Sequence, residues 1–386
     1  MDRGNLDVLV ATTPANVTYL SDFRATSHEH LGAFVFAVFP RDLNQIPALI
    51  LPQGEVADLL ALGLSWIKDV RTYGTFYITI PNKNLTGWEA DLGHILKAKK
   101  ENDALTLLRN VLDEKGMIGK RIGLDERGFH GDDYRRVVDL LKPSKIEPAY
   151  ETFRLIRQVK NEEEVQIISE AIKITEAGIR AVLESAKIGT TGEQMVRTFN
   201  EVVAKQEAIS LAPSISLGKD SYLQYNVVPS NRQLNRGDLL RFDVLCMYKS
   251  HFTDIGRTAV VGSPSADQRR KYDVVFQGED HAIGAIRPGV KASDVFHKGV
   301  EGARKAGMTN FERHHCGHGI GLELYEQPLI TPSNDSVIEE GAVINVETPF
   351  YEISDGGYMV EDTCLVTRSG VKFLTTLGRD LYEIAI

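Results

Sequence analysis

The stretch that most restricts the fold runs from Gly237 to Gly262, GDLLRFDVLCMYKSHFTDIGRTAVVG. It reads as two buried strands, DLLRFDVLCM and FTDIGRTAVV, joined by a short polar link around Tyr248-Lys249. Both are rich in Leu, Val, Ile and Phe, yet each carries a carboxylate in its middle, Asp243 and Asp254. A hairpin centred between residues 248 and 249 sets Asp243 directly opposite Asp254, with β-carbons roughly 4.5–5.5 Å apart. Two carboxylates that close in an apolar setting repel, and burying them unpaired is costly. The pair therefore calls for a metal ion, an Arg or Lys between them, or a different register.

The rest of the chain narrows the setting. A length of 386 residues suggests two domains. A net charge of −9 without a Lys/Arg tract argues against nucleic acid as a partner. Cys246, Cys316 and Cys364 are far apart and make no C-x-x-C, so they read as small buried hydrophobes. The opening MDRGNLDVLVATTPANV has no signal-peptide pattern, and no apolar run approaches the ~20 residues of a membrane span. A cytoplasmic protein with no membrane partner is expected.

Residues 1–150 alternate short strand patterns (LDVLVATT, HLGAFVFAVFP, IPALILP, RIGLDERG) with helical ones (EVADLLALG, NDALTLLRNVLDEKG, DDYRRVVDLLK), which describes a small α/β domain. Its glycines form neither G-x-G-x-x-G nor a phosphate-binding loop, so no nucleotide cofactor is called for. In residues 151–386, Asn161 with Glu164, Thr191 with Gln194 and Ser265 with Gln268 read as capping boxes opening three helices, and Ser293 opens a fourth. The hairpin follows the second helix. After the fourth come the Gly- and His-rich HHCGHGIGLELYEQP and a second apolar pair, AVINVETPFYEISDGGYMVEDTCLVT. A turn in Ser354-Asp355-Gly356-Gly357 places Glu347 opposite Glu361. Two helices and a hairpin with paired Asp are thus followed by two helices and a hairpin with paired Glu, a duplication of architecture.

Taken singly, each carboxylate would be an ordinary solvated or salt-bridged residue. Two facing pairs beside His318 form a different object. Oxygen ligands with a single imidazole suit Mn²⁺, Co²⁺, Fe²⁺ or Zn²⁺, and five such groups suit two ions that acidify a shared water and polarise a carbonyl.

The segments GDLLRFDVLCMYKSHFTDIGRT, HHCGHGIGLELYEQP, VINVETPFY and GGYMVEDTCLVT resemble the metal-binding signature of the prolidase, Xaa-Pro aminopeptidase and methionine aminopeptidase family, the pita-bread metallopeptidases. Asp243, Asp254, His318, Glu347 and Glu361 match the ligand positions in type and order, and LDVLVATTPANVTYLSDF is similar to the opening of the smaller domain of prolidases and Xaa-Pro aminopeptidases. The resemblance implies an α/β (α+β) chain: an N-terminal α/β domain, then a pita-bread domain of pseudo-twofold αα-hairpin repeats. It also implies two divalent metals, a small peptide or amide substrate and a homodimer. Glu347 would relay a proton as well as bind metal, and His314 would stabilise the oxyanion, with His315 beside it structural.

The departures concern the substrate pocket. Gln224-Tyr225 stands where the family has a His-Tyr or similar pair, Tyr325 replaces a substrate-binding His, and Met359 replaces an Arg. Tyr325 could donate a hydrogen bond in place of the lost imidazole. In the register above Arg241 faces Gly256, reading as a linked exchange in which Gly256 makes room for Arg241. That Arg would bind an anionic substrate group or neutralise a ligand carboxylate, while Arg257 on the opposite face would form a structural salt bridge. The expected activity is cleavage of an Xaa-Pro bond; the alternatives are hydrolysis of a non-proline amide on the same metals and, below both, a non-catalytic binding module.

Overall fold

The computed structural model describes residues 1–2, 4–98, 101–224 and 229–386. The chain divides into two compact units, Met1–Arg154 and Leu155–Ile386.

The first unit is built on a six-stranded sheet of β1 (Val8–Ala11), β2 (Phe36–Pro40), β3 (Ala48–Pro52), β4 (Asp69–Tyr73), β5 (Arg121–Leu124) and β6 (Lys145–Pro148), in the order β4-β3-β2-β1-β5-β6. Successive side chains of a strand face opposite ways. Leu9, Ala37 and Leu49 accordingly join one apolar cluster, and Val10, Phe36 and Ile50 the other. Burial on both faces explains why these strands read as unbroken apolar runs. The helices α1 (Pro14–Ser21), α2 (Thr26–His30), α3 (Val56–Leu62), α4 (Trp88–Lys97), α5 (Ala104–Glu114) and α6 (Gly131–Leu140) complete the unit.

Helix α7 (Tyr150–Gln158) spans the division between the units. The second unit then runs α8 (Glu162–Ser185), α9 (Gly192–Ala204), β7 (Ile209–Leu217), β8 (Leu239–Tyr248), β9 (His251–Val261), α10 (Ala266–Ala285) and α11 (Ala292–Lys305). It closes with β10 (Gly317–Gly319), β11 (Glu326–Leu329), β12 (Val343–Glu347), β13 (Phe350–Glu352), β14 (Gly356–Tyr358), β15 (Glu361–Thr367), β16 (Gly370–Phe373) and β17 (Tyr382–Ile384). The capping boxes at Asn161, Thr191 and Ser265 are all formed. The fourth helix differs: it starts at Ala292, with Lys291 at its N-cap and no side-chain cap.

The main sheet has the order β11-β10-β12-β15-β9-β8-β7, with β16 on β15 and β17 on β9. The duplicated architecture is visible in that order. One repeat supplies α8, α9 and β7-β8-β9, the other α10, α11 and β10-β12-β15, and they meet where β9 pairs with β15. Each repeat has its own core: Ile172, Phe199 and Phe242 in the first, Val274, Val295 and Ile344 in the second. Cys246 belongs to the first core and Cys316 and Cys364 to the second, all unpaired.

The register of the first hairpin corrects the sequence reading. Tyr248 pairs with His251, so Asp243 faces Gly256 and Asp254 faces Leu245. The link is Lys249-Ser250, both at positive φ (45° and 65°), as a two-residue type I′ turn requires. Neither is the Gly or Asn that usually marks such a turn. The shift is two positions, and an even shift changes the partner but preserves the face. The carboxylates therefore still share one surface, as diagonal neighbours. In the second hairpin Glu347 does pair with Glu361.

Candidate metal centre

Strand pairing alone lays out the site. Glu347 on β12 pairs with Glu361 on β15, Glu361 with Gly256 on β9, Gly256 with Asp243 on β8, and Asp243 with Ser214 on β7. This row crosses five strands and both repeats. Asp254 lies two residues from Gly256 on β9, hence on the same face. Across β10–β12, His318 pairs with Asn345, itself two residues before Glu347. Gly256 keeps the row open. A β-carbon there would lie 2.6 Å from Met359 Cγ and 2.9 Å from Glu361 Cβ and Oε2.

One ligand-capable atom from each of Asp254, His318 and Glu361 lies within 4.8 Å of the others, and all three residues are buried. His318 Nε2 is 3.8 Å from Asp254 Oδ2. The opposite ring nitrogen, Nδ1, lies 2.9 Å from the Gly319 carbonyl. Donation there fixes the proton on Nδ1 and turns the Nε2 lone pair into the cluster, as a metal-binding imidazole requires. Asn345 Nδ2 donates to Glu361 Oε1 at 2.6 Å and Arg241 Nη1 to Asp243 Oδ2 at 2.9 Å, each pinning a carboxylate by one oxygen.

The electrostatics ask for cations. Burial, reinforced by Asp243 and Glu347, pushes the pKa of Asp254 well above the carboxylate range. Burial, with Asp254, Glu347 and Asp243, does the same to Glu361. Glu347 is also raised by burial, against the opposing pull of Arg313. Burial lowers His318 to about 4, so its imidazole is neutral near pH 7. Asp254 Oδ1, Glu361 Oε2 and His318 Nε2 are buried without a hydrogen-bond partner among the described residues. Unsatisfied buried oxygens and a free imidazole lone pair on one spot are what divalent cations would satisfy.

Beside the cluster opens a cleft lined by Asp243, Asp254, Glu347 and Glu361. Gln224, His314, Tyr325 and Met359 line it too. Tyr225 lies outside the described residues. The Tyr325 ring stacks on His318, centroids 3.8 Å apart, and meets His315 edge-on at 5.8 Å. His314 is exposed in the wall, with its pKa lowered by burial and Arg313. His315, read from sequence as structural, places Nδ1 3.3 Å from Glu347 Oε1. Burial and Arg313 lower its pKa to about 3.

The linked exchange of Arg241 and Gly256 is overturned. Arg241 pairs with Thr258, and the space at Gly256 is taken by Met359 and Glu361. Arg241 is also spent. Fully buried, it donates from Nε to the Ser221 carbonyl, from Nη1 to Asp243, and from Nη2 to Ser214 Oγ and the Leu223 and Gln224 carbonyls, with Met359 Sδ at 3.6 Å. No N–H remains for a substrate anion, so Arg241 neutralises and orients Asp243. Arg257 forms a fully buried 2.6 Å salt bridge with Asp362. Sequence reasoning missed Ser214, Arg313, Asn345 and Tyr351. Only Asn345 had a signal, its spacing of two from Glu347.

A carboxylate row closed by one imidazole, beside an open cleft on a two-repeat sheet, defines a metal-dependent hydrolase. The sequence profile of metallopeptidase family M24 matches residues 166–368. An Xaa-Pro dipeptidase of Pyrococcus furiosus is 30% identical over 292 residues, covering 74% of this chain and 80% of its own. One from Pyrococcus horikoshii is 29% identical over 348 residues, covering 88% and 95%. The X-Pro aminopeptidase structure from Thermotoga maritima MSB8 superposes with a TM-score of 0.79 at 22% identity, covering 98% of both chains. The chain belongs to metallopeptidase family M24 and is a metal-dependent peptide hydrolase.

Proposed function

We propose that Asp243, Asp254, His318, Glu347 and Glu361 hold two divalent cations and that the enzyme cleaves Xaa-Pro bonds as a dipeptidase or aminopeptidase. The observation that carries the reading is the convergence of Asp254, His318 and Glu361 with an unpartnered atom on each. The substrate class follows the Xaa-Pro dipeptidases that the chain resembles. Manganese is the first candidate among Mn, Co, Zn and Fe, because oxygen ligands predominate, and the expected form is a cytoplasmic homodimer.

When bound, the cations supply the Lewis acidity that activates a water and polarises the scissile carbonyl. The remaining work falls to side chains. Asn345 and Arg241 hold Glu361 and Asp243 in place, and Gly319 fixes the His318 tautomer. Glu347 carries a proton to the leaving amine, a transfer usually worth about 10²–10⁴-fold. The neutral His314 imidazole donates its N–H to the developing oxyanion, and the Tyr325 hydroxyl is a second donor to the same cleft.

A second reading, hydrolysis of a non-proline amide, is favoured by one observation: Gln224 and Tyr325 line the cleft, where the family resemblance implies substrate-binding imidazoles. Metal analysis of the purified protein, with hydrolysis of Xaa-Pro dipeptides, longer Xaa-Pro peptides and non-proline dipeptides, decides between them. Xaa-Pro turnover restored by Mn²⁺ or Co²⁺ supports the first reading and turnover of non-proline amides alone the second. Protein that binds no divalent metal would overturn both.

A further inference from the structure

Among the described residues, Arg241, Arg257 and Arg313 stand around the carboxylate row, and the first two are saturated. Arg241 spends every nitrogen on protein acceptors, and Arg257 is satisfied by Asp362 and the carbonyls of Gly256, Glu361, Leu377 and Gly378. Arg313 differs. Its side chain is only 7% exposed, yet its one ion pair among the described residues, Nη2 to Glu347 Oε2, is 3.6 Å long. Its Nε is buried with no hydrogen-bond partner among the described residues. A guanidinium serving as counter-ion to Glu347 would close to about 2.7–2.9 Å, commonly through two parallel bonds. Arg313 instead stands off from Glu347 in the cleft wall, with its Cζ 5.9 Å from the centre of the Tyr351 ring.

The cleft's charge gives that position its meaning. Four carboxylates line it, and Arg313 is the single Lys or Arg lining it among the described residues. With the carboxylates engaged by cations, Arg313 is the side-chain cation of the lining left to meet an anionic group of the substrate. Met359 fills the space over Gly256 and brings no charge to the cleft. Arg313 reaches the same cleft from the loop between α11 and β10, on another part of the chain.

We propose that Arg313 is a specificity-determining residue that binds the terminal carboxylate of a dipeptide, through Nε and an Nη held ready beside the metal ligands, and so selects dipeptides over longer chains. The proposal rests on the peptidase reading above. A planar guanidinium with adjacent free donors matches a carboxylate bidentately, and filling the unpartnered Nε removes the cost of its burial.

The test compares wild type, Arg313→Met and Arg313→Lys on glycyl-proline and glycyl-prolinamide, by steady-state kinetics and by calorimetric binding, with metal content measured throughout. Wild type should prefer the acid. Arg313→Met should raise KM for the acid by about 10–100-fold while leaving KM for the amide and the metal content unchanged, with Arg313→Lys intermediate. An equal fall in kcat on both ligands would place Arg313 in service of Glu347 and overturn the proposal. So would a wild type indifferent to the carboxylate. Calorimetry separates the two claims, since it needs no turnover. Absent hydrolysis with tight, Arg313-dependent binding of the acid would sink the Xaa-Pro peptidase reading and keep the carboxylate site, whereas equal binding of acid and amide would sink the site itself.

Discussion

Substituting Gly256 by Ala tests the register and the packing of the site together. The new methyl would stand 2.6 Å from Met359 Cγ, about 0.8 Å inside an ordinary 3.4 Å contact, and 2.9 Å from Glu361 Cβ. Met359 and Glu361 are 2% and 1% exposed, so neither side chain can swing into solvent. Overpacking of this kind costs about 1–3 kcal/mol. The reduced freedom of the unfolded chain returns about 0.4–1 kcal/mol, because Gly256 is not among the positive-φ glycines and Ala can adopt its backbone. A net loss of about 1–2 kcal/mol is expected, with weaker metal retention as Glu361 is displaced. Met359→Ala removes the Cγ that collides. The double variant should therefore be more stable than the summed single effects by about 1 kcal/mol, within the usual range for residues in contact. Urea unfolding of chelated protein, following the transition of the second unit, reads the stability terms, and a metal titration reads the other. Additive effects of the two substitutions, or rescue by Arg241→Ala instead of Met359→Ala, would refute the register and the account of Gly256.

Chelation should expose the repulsion inside the carboxylate row. Asp254, Glu347 and Glu361 have folded pKa values raised by burial, so metal-free stability is full below the unfolded values near ~4 and drains as pH rises through the raised ones. The slope is about 1.4 kcal/mol per pH unit for each extra proton the folded state binds; melting curves from pH 5 to 8 with EDTA should fall and those with Mn²⁺ stay level, and a pH-independent metal-free protein would contradict this. Glu326, fully buried against Lys160 at 2.8 Å, follows Tyr325 in the chain, and Glu326→Gln should destabilise by about 3–5 kcal/mol in the same unfolding assay. Burial alone would raise the Glu326 pKa, but Lys160 and Arg157 hold it below the usual range. Its stabilisation is thus present above the unfolded pKa and lost as pH falls through the folded one, and the variant's melting curves should lack that part of the acid loss.

What the sequence revealed and what it hid divide along a physical line. The two hairpins were legible because an apolar strand with a carboxylate at its centre has few explanations, and period-two alternation fixes a face even when the partner is misread. That is why Asp243 and Asp254 share a surface although the register was displaced by two. The displacement came from Lys249-Ser250, which adopt a glycine-like conformation without glycine's sequence signal. The second turn, marked by Ser354, Asp355 and two glycines, was placed well enough to pair Glu347 with Glu361. Strand β7 carries a weak sequence signal, because Pro213 stands in the middle of its ISLAPSISL segment; Ser214, the next residue, ends the carboxylate row.

The arginines mark the deeper limit. From sequence, strand alternation separates Arg241 from Arg257 by face, but nothing tells how many N–H groups either has left, and Arg313 carries no signal at all. What separates them is how many N–H groups are already used, and much of that accounting is done by backbone carbonyls. Ser221, Leu223 and Gln224 occupy Arg241 through their main-chain oxygens, atoms every residue possesses and no motif encodes. Arg257 is held in the same way by Gly256, Glu361, Leu377 and Gly378. A buried guanidinium is available to a ligand only where the fold fails to supply such oxygens. A pattern of residue types can therefore locate the metal-binding carboxylates, whose chemistry resides in their side chains. The substrate-binding cation is found only once the main chain is in place, because it is defined by the bonds it does not make.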